Sequence, residues 1–141
     1  MKAELDNKLI AVIRVRGRSG VRRSISETMN RLNLRRVNNL ALIFGTKANI
    51  GMIEKCKDFV TYGQIKEDTL VKLLEKKGSK AGKADAQALM SGKKVAKEIA
   101  KIPIPMHPPR RGYEGIKRGY STGGALGYRG EDINELISRM S

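Results

Sequence analysis

A small α+β fold, mixed in its alternation of strands and helices, is predicted by three observations. Three short apolar runs, KLIAVIR (8–14), NLALIFG (39–45) and FVTYG (59–63), alternate with two segments whose apolar residues recur at helical spacing. All four prolines then crowd into IPIPMHPP (102–109), a density that neither a helix nor a central strand tolerates, so an extended segment follows. Finally, EDINELISRM (131–140) sets Ile133, Leu136, Ile137 and Met140 on one helical face. The chain therefore reads as a β-α-β-α-β core over 1–65, a helical Lys-rich extension over 66–102, an extended tail over 103–130 and a terminal amphipathic helix over 131–141.

Each element has its own warrant. The first strand is apolar and β-branched, and a basic loop with two glycines, RVRGRSGVRR (14–23), leaves it. Ser24 and Glu27 have capping-box spacing, and Ile25, Met29 and Leu32 give the first helix one apolar face. LRRVNN (34–39) breaks that period and leads into the second strand. In TKANIGMIEKCKD (46–58), a turn and then a helix, Ile50, Ile53 and Cys56 or Lys57 share a side. FVTYG is the third strand. From Glu67 a further helix carries Leu70, Leu73, Leu74 and Lys77, and Gly78 stops it. GSKAGKA (78–84) is a loop and 85–101 a helix weakened by Gly92. In the terminal helix the acids stand first and Arg139 near the end, matching the helix dipole.

The stretch HPPRRGYEGIKRGYSTGGALGYRG (107–130) has no period of either kind. Seven of its 24 residues are glycine, and three of the chain's four tyrosines are here. Held between a proline-rigid approach and a helix that must dock, it is expected to order only against a partner.

Charge names the partner class. In 141 residues, 29 Lys and Arg face 14 Asp and Glu, a net charge of +15 that repels itself unless an anion screens it. The longest aliphatic runs, LIAVI and LALIF, fall far short of the roughly 20 residues that span a bilayer, so nucleic acid is favoured over membrane. The single cysteine, Cys56, has no partner for an intrachain disulfide, which suits a reducing cytoplasm. The cations are also segregated. Residues 14–36 hold eight Arg and no Lys, 47–101 hold 13 Lys and no Arg, and 102–141 return to Arg. Guanidinium grips phosphate in bidentate fashion and stacks on bases, so the Arg-rich ends are the expected binding surface.

Catalytic and metal motifs fail on spacing. GSKAGKA has three residues between its glycines where a phosphate loop needs four, and Ala84 follows Lys83. One His and one Cys cannot make a zinc site, so no metal or cofactor is expected. Cys56 lies on the apolar side of its helix and reads as structural, and nothing supplies a second acid–base group beside His107. The chain reads as non-enzymatic, without a small-molecule substrate. Two other classes compete for the same charge: a free-standing DNA-binding or chromatin protein, and an RNA-acting enzyme using His107. The first would present a strongly basic recognition helix, and none is visible.

Three groups carry the nucleic-acid reading. The 14–23 loop offers Arg14, Arg16, Arg18, Arg22 and Arg23 beside two glycine N–H groups. Arg35, Arg36, Asn38 and Asn39 meet at a helix–strand junction. The tail interleaves Tyr113, Tyr120 and Tyr128 with Arg110, Arg111, Lys117, Arg118 and Arg129, a mixture suited to stacking on unpaired bases, and His107 precedes it as a packing or phosphate contact.

LNLRRVNNLALIFGTKANIGMIEKCKDFVTYG (32–63) resembles the signature region of the large-subunit ribosomal protein thirty family, protein seven in eukaryotes, through Leu34, Arg36, Asn38, Thr46, Gly51, Met52 and Phe59-Val60. HPPRRGYEGIK (107–117), GGALG (123–127) and EDINELISRM are similar to the C-terminal extension of its archaeal and eukaryotic branch, so the resemblance is to the archaeal-type long form and covers almost the whole chain. It implies a three-stranded core sheet and a structural role in the large ribosomal subunit. It also implies contact with large-subunit rRNA near the 5S rRNA, with other large-subunit proteins as neighbours. The implied RNA contacts are the 14–23 loop, Arg35, Arg36, Asn38 and the Thr46–Gly51 turn, including Lys47 and Asn49. Relatives often carry Arg before that glycine. Ile50 stands there in this chain, which implies a weaker grip at the turn.

Overall fold

A computed structural model describes residues 8–17, 21–32, 34–76, 104–106, 109, 112–113, 115–120 and 123–140, with the backbone alone at 74–76, 104–105 and 115–118. The expected helix over 85–101 and the loop before it lie outside these residues. In chain order the elements are β1 (Leu9–Arg14), α1 (Arg23–Arg31), β2 (Asn39–Phe44), α2 (Lys47–Lys55), β3 (Val60–Gln64) and α3 (Glu67–Lys76). Then come β4 (Ile104–Pro105), β5 (Gly115–Gly119), β6 (Gly124–Tyr128), a 3-10 turn (Gly130–Asp132) and α4 (Ile133–Met140).

β1 holds the middle of the core because its run has no polar alternation, the signature of a strand buried on both faces. It pairs antiparallel with β2 on one side and β3 on the other. Leu9, Ala11 and Ile13 point into one apolar layer with Leu70, Leu73 and all four apolar residues of α4. Ile10 and Val12 point into the other, with Met29 of α1 and Ile50 and Ile53 of α2. Helices thus cover both faces of the sheet. The apolar faces expected for α1, α2, α3 and α4 all face inward at their described residues, and Cys56 rather than Lys57 completes that of α2.

Two expectations are corrected. α1 starts one residue before Ser24, with Arg22 at the cap position and no side chain closing it. Ser24 therefore sits inside the first turn, past the position from which a hydroxyl caps. Its carbonyl accepts from Thr28 Oγ1 (2.8 Å), and Glu27 turns to Arg23 (3.3 Å).

The second correction concerns strand count and the tail. Among the described residues the sheet has six strands, in the order β4-β2-β1-β3-β6-β5, rather than three, and the added ones come from the segment expected to be an extended tail over 103–130. β4 lies at the edge beside β2, where a proline's missing N–H breaks no inner ladder. β6 runs parallel to β3, with Thr61 opposite Gly127 and Tyr62 opposite Tyr128. Thr61 Oγ1 donates to the Gly127 carbonyl (3.1 Å) and accepts from Arg129 Nε (2.8 Å), while the Arg129 N–H donates to the Tyr62 carbonyl (2.9 Å). Gly63 makes the join possible: a Cβ there would stand 2.1 Å from the Gly130 carbonyl oxygen.

Candidate nucleic-acid interface

The basic loop and the Arg35–Asn38 junction meet at the end of the sheet where β1 stops. Arg22, Arg23, Arg35 and Arg36 are exposed there. α1 begins in the same place with no side-chain cap and no acid in its first turn. Its free N–H groups and the positive end of its dipole face the same solvent as these guanidinium groups, a setting that attracts phosphate.

Arg14 is not part of that exposed set. It is 2% exposed, and its guanidinium donates to the carbonyls of Leu34 (2.7 Å), Arg16 (2.9 Å) and Gly17 (3.4 Å). It ties the root of the loop to the junction and so sets where the neighbouring arginines stand. Asn38 sits at φ +68 and its amide N–H donates to the Arg14 carbonyl (2.8 Å). Its side-chain oxygen accepts from the Tyr113 hydroxyl (2.6 Å), and burial holds that phenol well above its ordinary pKa. Asn39 is buried.

Because β1 and β2 are antiparallel, the Thr46 turn stands at the opposite end of the sheet from the 14–23 loop. α2 spans between them. Thr46 caps it by accepting from the Asn49 N–H (3.3 Å), and Asn49 Nδ2 donates to the Phe44 carbonyl (2.9 Å). Thr46, Lys47, Ala48, Gly51 and Lys55 are exposed. Lys47, Gly51 and Lys55 are four residues apart and form one stripe, a glycine between two ammonium groups. Nothing lies within 4 Å of where a Gly51 Cβ would be, so the fold itself does not require glycine at this position. Ile50 is turned into the core, so it leaves the solvent face to its neighbours.

The tail tyrosines are placed by the sheet. Arg129 is 5% exposed, donates to the Ala125 carbonyl (3.0 Å) as well as to Thr61, and covers the Tyr120 ring at 4.7 Å. Tyr120 donates to Asp132 (2.6 Å), and Tyr128 packs on Tyr62 with ring centroids 5.8 Å apart. Beside these rings opens a groove of about 630 Å³ lined by Arg16, Lys57, Phe59, Tyr62, Tyr120 and Tyr128. The Arg16 guanidinium lies 5.1 Å from the Phe59 ring centre. Lys57, Phe59 and Tyr62 are not legible as site residues, since Lys57 falls in the stretch 46–58 that reads as a turn and helix, and FVTYG (59–63) reads as a strand. A parallel partner bringing Tyr128 beside Tyr62 leaves no mark in either segment alone.

Arg18, His107, Arg110 and Arg111, and the side chains of Lys117 and Arg118, lie outside the described residues. The Cys56 thiol donates weakly to the carbonyls of Met52 and Ile53 (both 3.4 Å), and burial pushes its pKa up to about 11, which leaves it inert. Among the described residues no cluster of His, Cys, Asp or Glu is arranged to hold a metal ion, and no helix is long and apolar enough to cross a membrane.

The profile of a family described as ribosomal protein L30p/L7e matches residues 10–60, the span from β1 to the start of β3. Beyond that span the likeness continues. The large ribosomal subunit protein uL30 of Methanococcus vannielii is 43% identical, over 92% of this chain and 97% of its own length. Its counterparts in Thermoplasma acidophilum (41%, over 94% and 92%) and Nanoarchaeum equitans (42%, over 93% and 97%) are similar to the same extent. With identity of 41–43% over more than nine-tenths of its length, the chain belongs to the ribosomal protein L30p/L7e family.

Proposed function

We propose that this protein is a non-catalytic structural component of the cytoplasmic large ribosomal subunit, where it binds rRNA and holds its helices in register. The observation that carries the reading is the near full-length likeness to archaeal large-subunit proteins. The geometry supports it through the exposed arginines gathered at the open start of α1 and the Lys47–Gly51–Lys55 stripe. Phosphates are met by Arg16, Arg22, Arg23, Arg35, Arg36 and Lys47, with Thr46 and Asn49 shaping the turn. Gly51 lets a backbone approach closely, and Tyr120 and Tyr128 offer ring faces. Arg14, Asn38, Tyr113 and Arg129 act from beneath by holding these segments in place. Arg18, His107, Arg110, Arg111, Lys117 and Arg118 extend the contact on the strength of the sequence alone. Proximity to the 5S rRNA and contact with neighbouring subunit proteins follow from the family resemblance.

Counterion release tests the electrostatic core of this reading. With roughly six to ten phosphates engaged, affinity for an rRNA fragment falls about 10³–10⁵-fold between about 50 and 200 mM salt. A nearly flat salt response refutes it. Failure of the protein to co-sediment with large subunits refutes the ribosomal assignment.

A further inference from the structure

We propose that the groove between the start of β3 and the end of β6 receives one unpaired nucleobase of RNA. The inference rests on RNA as the partner and deepens that reading: it gathers the stacking expected of the tail tyrosines into one groove with Phe59 and Tyr62 and gives that groove a single base as its ligand. The chain has four Tyr and two Phe, and four of these six aromatic side chains line this one groove. Its volume, about 630 Å³, falls within the roughly 300–1,000 Å³ typical of sites that enclose a small ligand. Tyr62 forms a buried floor and Tyr128 tilts against it at 46°, while Phe59 stays half-buried, so ring surface is left on the open side.

The charges sort the ligand. Arg16, already lying over Phe59, and exposed Lys57 stand on the rim where a phosphate would enter. Asp58 is exposed on the same rim, and its carboxylate repels a phosphate while accepting a hydrogen bond from an exocyclic base amine. Together they fit a nucleotide with its phosphate toward Arg16 and Lys57 and an amine-bearing base edge toward Asp58. Gly119 and Gly127 also line the opening and bring no side chain into it. Gly127 holds φ +86, and a Cβ there would meet nothing within 4 Å. Base–aromatic stacking of this kind is how proteins hold splayed single-stranded nucleotides.

The test compares an oligocytidylate with an abasic oligomer of equal phosphate count, both titrated into the full chain. With no tryptophan in the chain and three of its four tyrosines in the groove, tyrosine emission reports occupancy. The oligocytidylate is expected to bind roughly 5- to 100-fold more tightly and to quench the emission. Phe59→Leu and Tyr128→Leu should each bring that ratio close to one, with circular dichroism checking the fold. If Tyr128→Leu unfolds, Phe59→Leu decides. Equal affinity for the two oligomers without quenching overturns the base site and leaves the phosphate-binding reading standing. Absence of binding by both at low salt overturns both.

Discussion

Replacing Gly51 with alanine adds one methyl to the exposed face of α2, and it should stabilise the free protein while weakening its grip on RNA. The helix at this point has no left-handed backbone, and the added Cβ meets no atom within 4 Å. The folded state therefore accepts the methyl without strain, and the unfolded chain loses glycine's extra freedom. The gain is about 0.5–1 kcal/mol. For a chain of this size that is a rise of roughly 2–4 °C in Tm. In the complex the same methyl stands between Lys47 and Lys55, where a phosphate backbone would come closest. Losing one charge-assisted contact costs about 1.5–3 kcal/mol, so affinity should drop at least about tenfold. Thermal unfolding of the free variant and its uptake by large subunits stripped of this protein measure the two effects separately. A variant that is more stable and is taken up as well as the parent refutes a close contact at Gly51.

Arg129→Ala removes a buried group that holds Thr61, Ala125 and Tyr120 together, and should cost about 2–4 kcal/mol by urea unfolding. The salt slope of RNA binding should stay within about one phosphate's worth, because this guanidinium faces inward. Gly63→Ala drives a methyl into the Gly130 carbonyl, and overpacking of this kind costs roughly 1–3 kcal/mol with main-chain atoms that must shift. Stability should also fall in alkali. Burial raises Cys56 from 9.0 to about 11 and Tyr62 from 10.0 to about 12, with Glu54 and Cys56 adding to the Tyr62 shift. The unfolded chain thus loses these protons first, and stability present below about pH 9 drains away as pH climbs through 11 to 12. A urea midpoint unchanged between pH 9 and 12 contradicts that burial. Amide exchange of Ala125 and Leu126 in the RNA-free protein should be slow, since β6 lies inside the sheet.

What the sequence made legible was whatever a side-chain period can encode. LIAVI announces a strand buried on both faces, and Ile133, Leu136, Ile137 and Met140 announce a docked helix. Glycine encodes no period, so GIKRG and GALGY gave no strand signal, and what places GALGY is a parallel pairing to residues more than 60 positions earlier. The arginines divide on the same principle. Arg14 and Arg16 look alike in RVRGR, yet Arg14 ends a strand opposite Val60 and turns to the Leu34 carbonyl, while Arg16 lies two residues further along and reaches Phe59. Composition fixes that a basic surface exists. Which guanidinium groups support it from below depends on pairing across the sheet.

The layer that includes Leu9, Ile13, Leu40 and Leu42 of the first two strands is closed by Ile133, Leu136, Ile137 and Met140. A ribosome builds the chain from the other end. During synthesis Leu70 and Leu73 of α3 can cover only part of this face of the β1–β2 pair, and it closes fully only after residue 140 has been added. An emerging chain of this design cannot finish folding piece by piece. It carries an adhesive apolar surface and a large positive charge together until the last turn of α4 is released. Sequestration of the unfinished chain by a chaperone that covers apolar surface, rather than by RNA, is the need this topology creates.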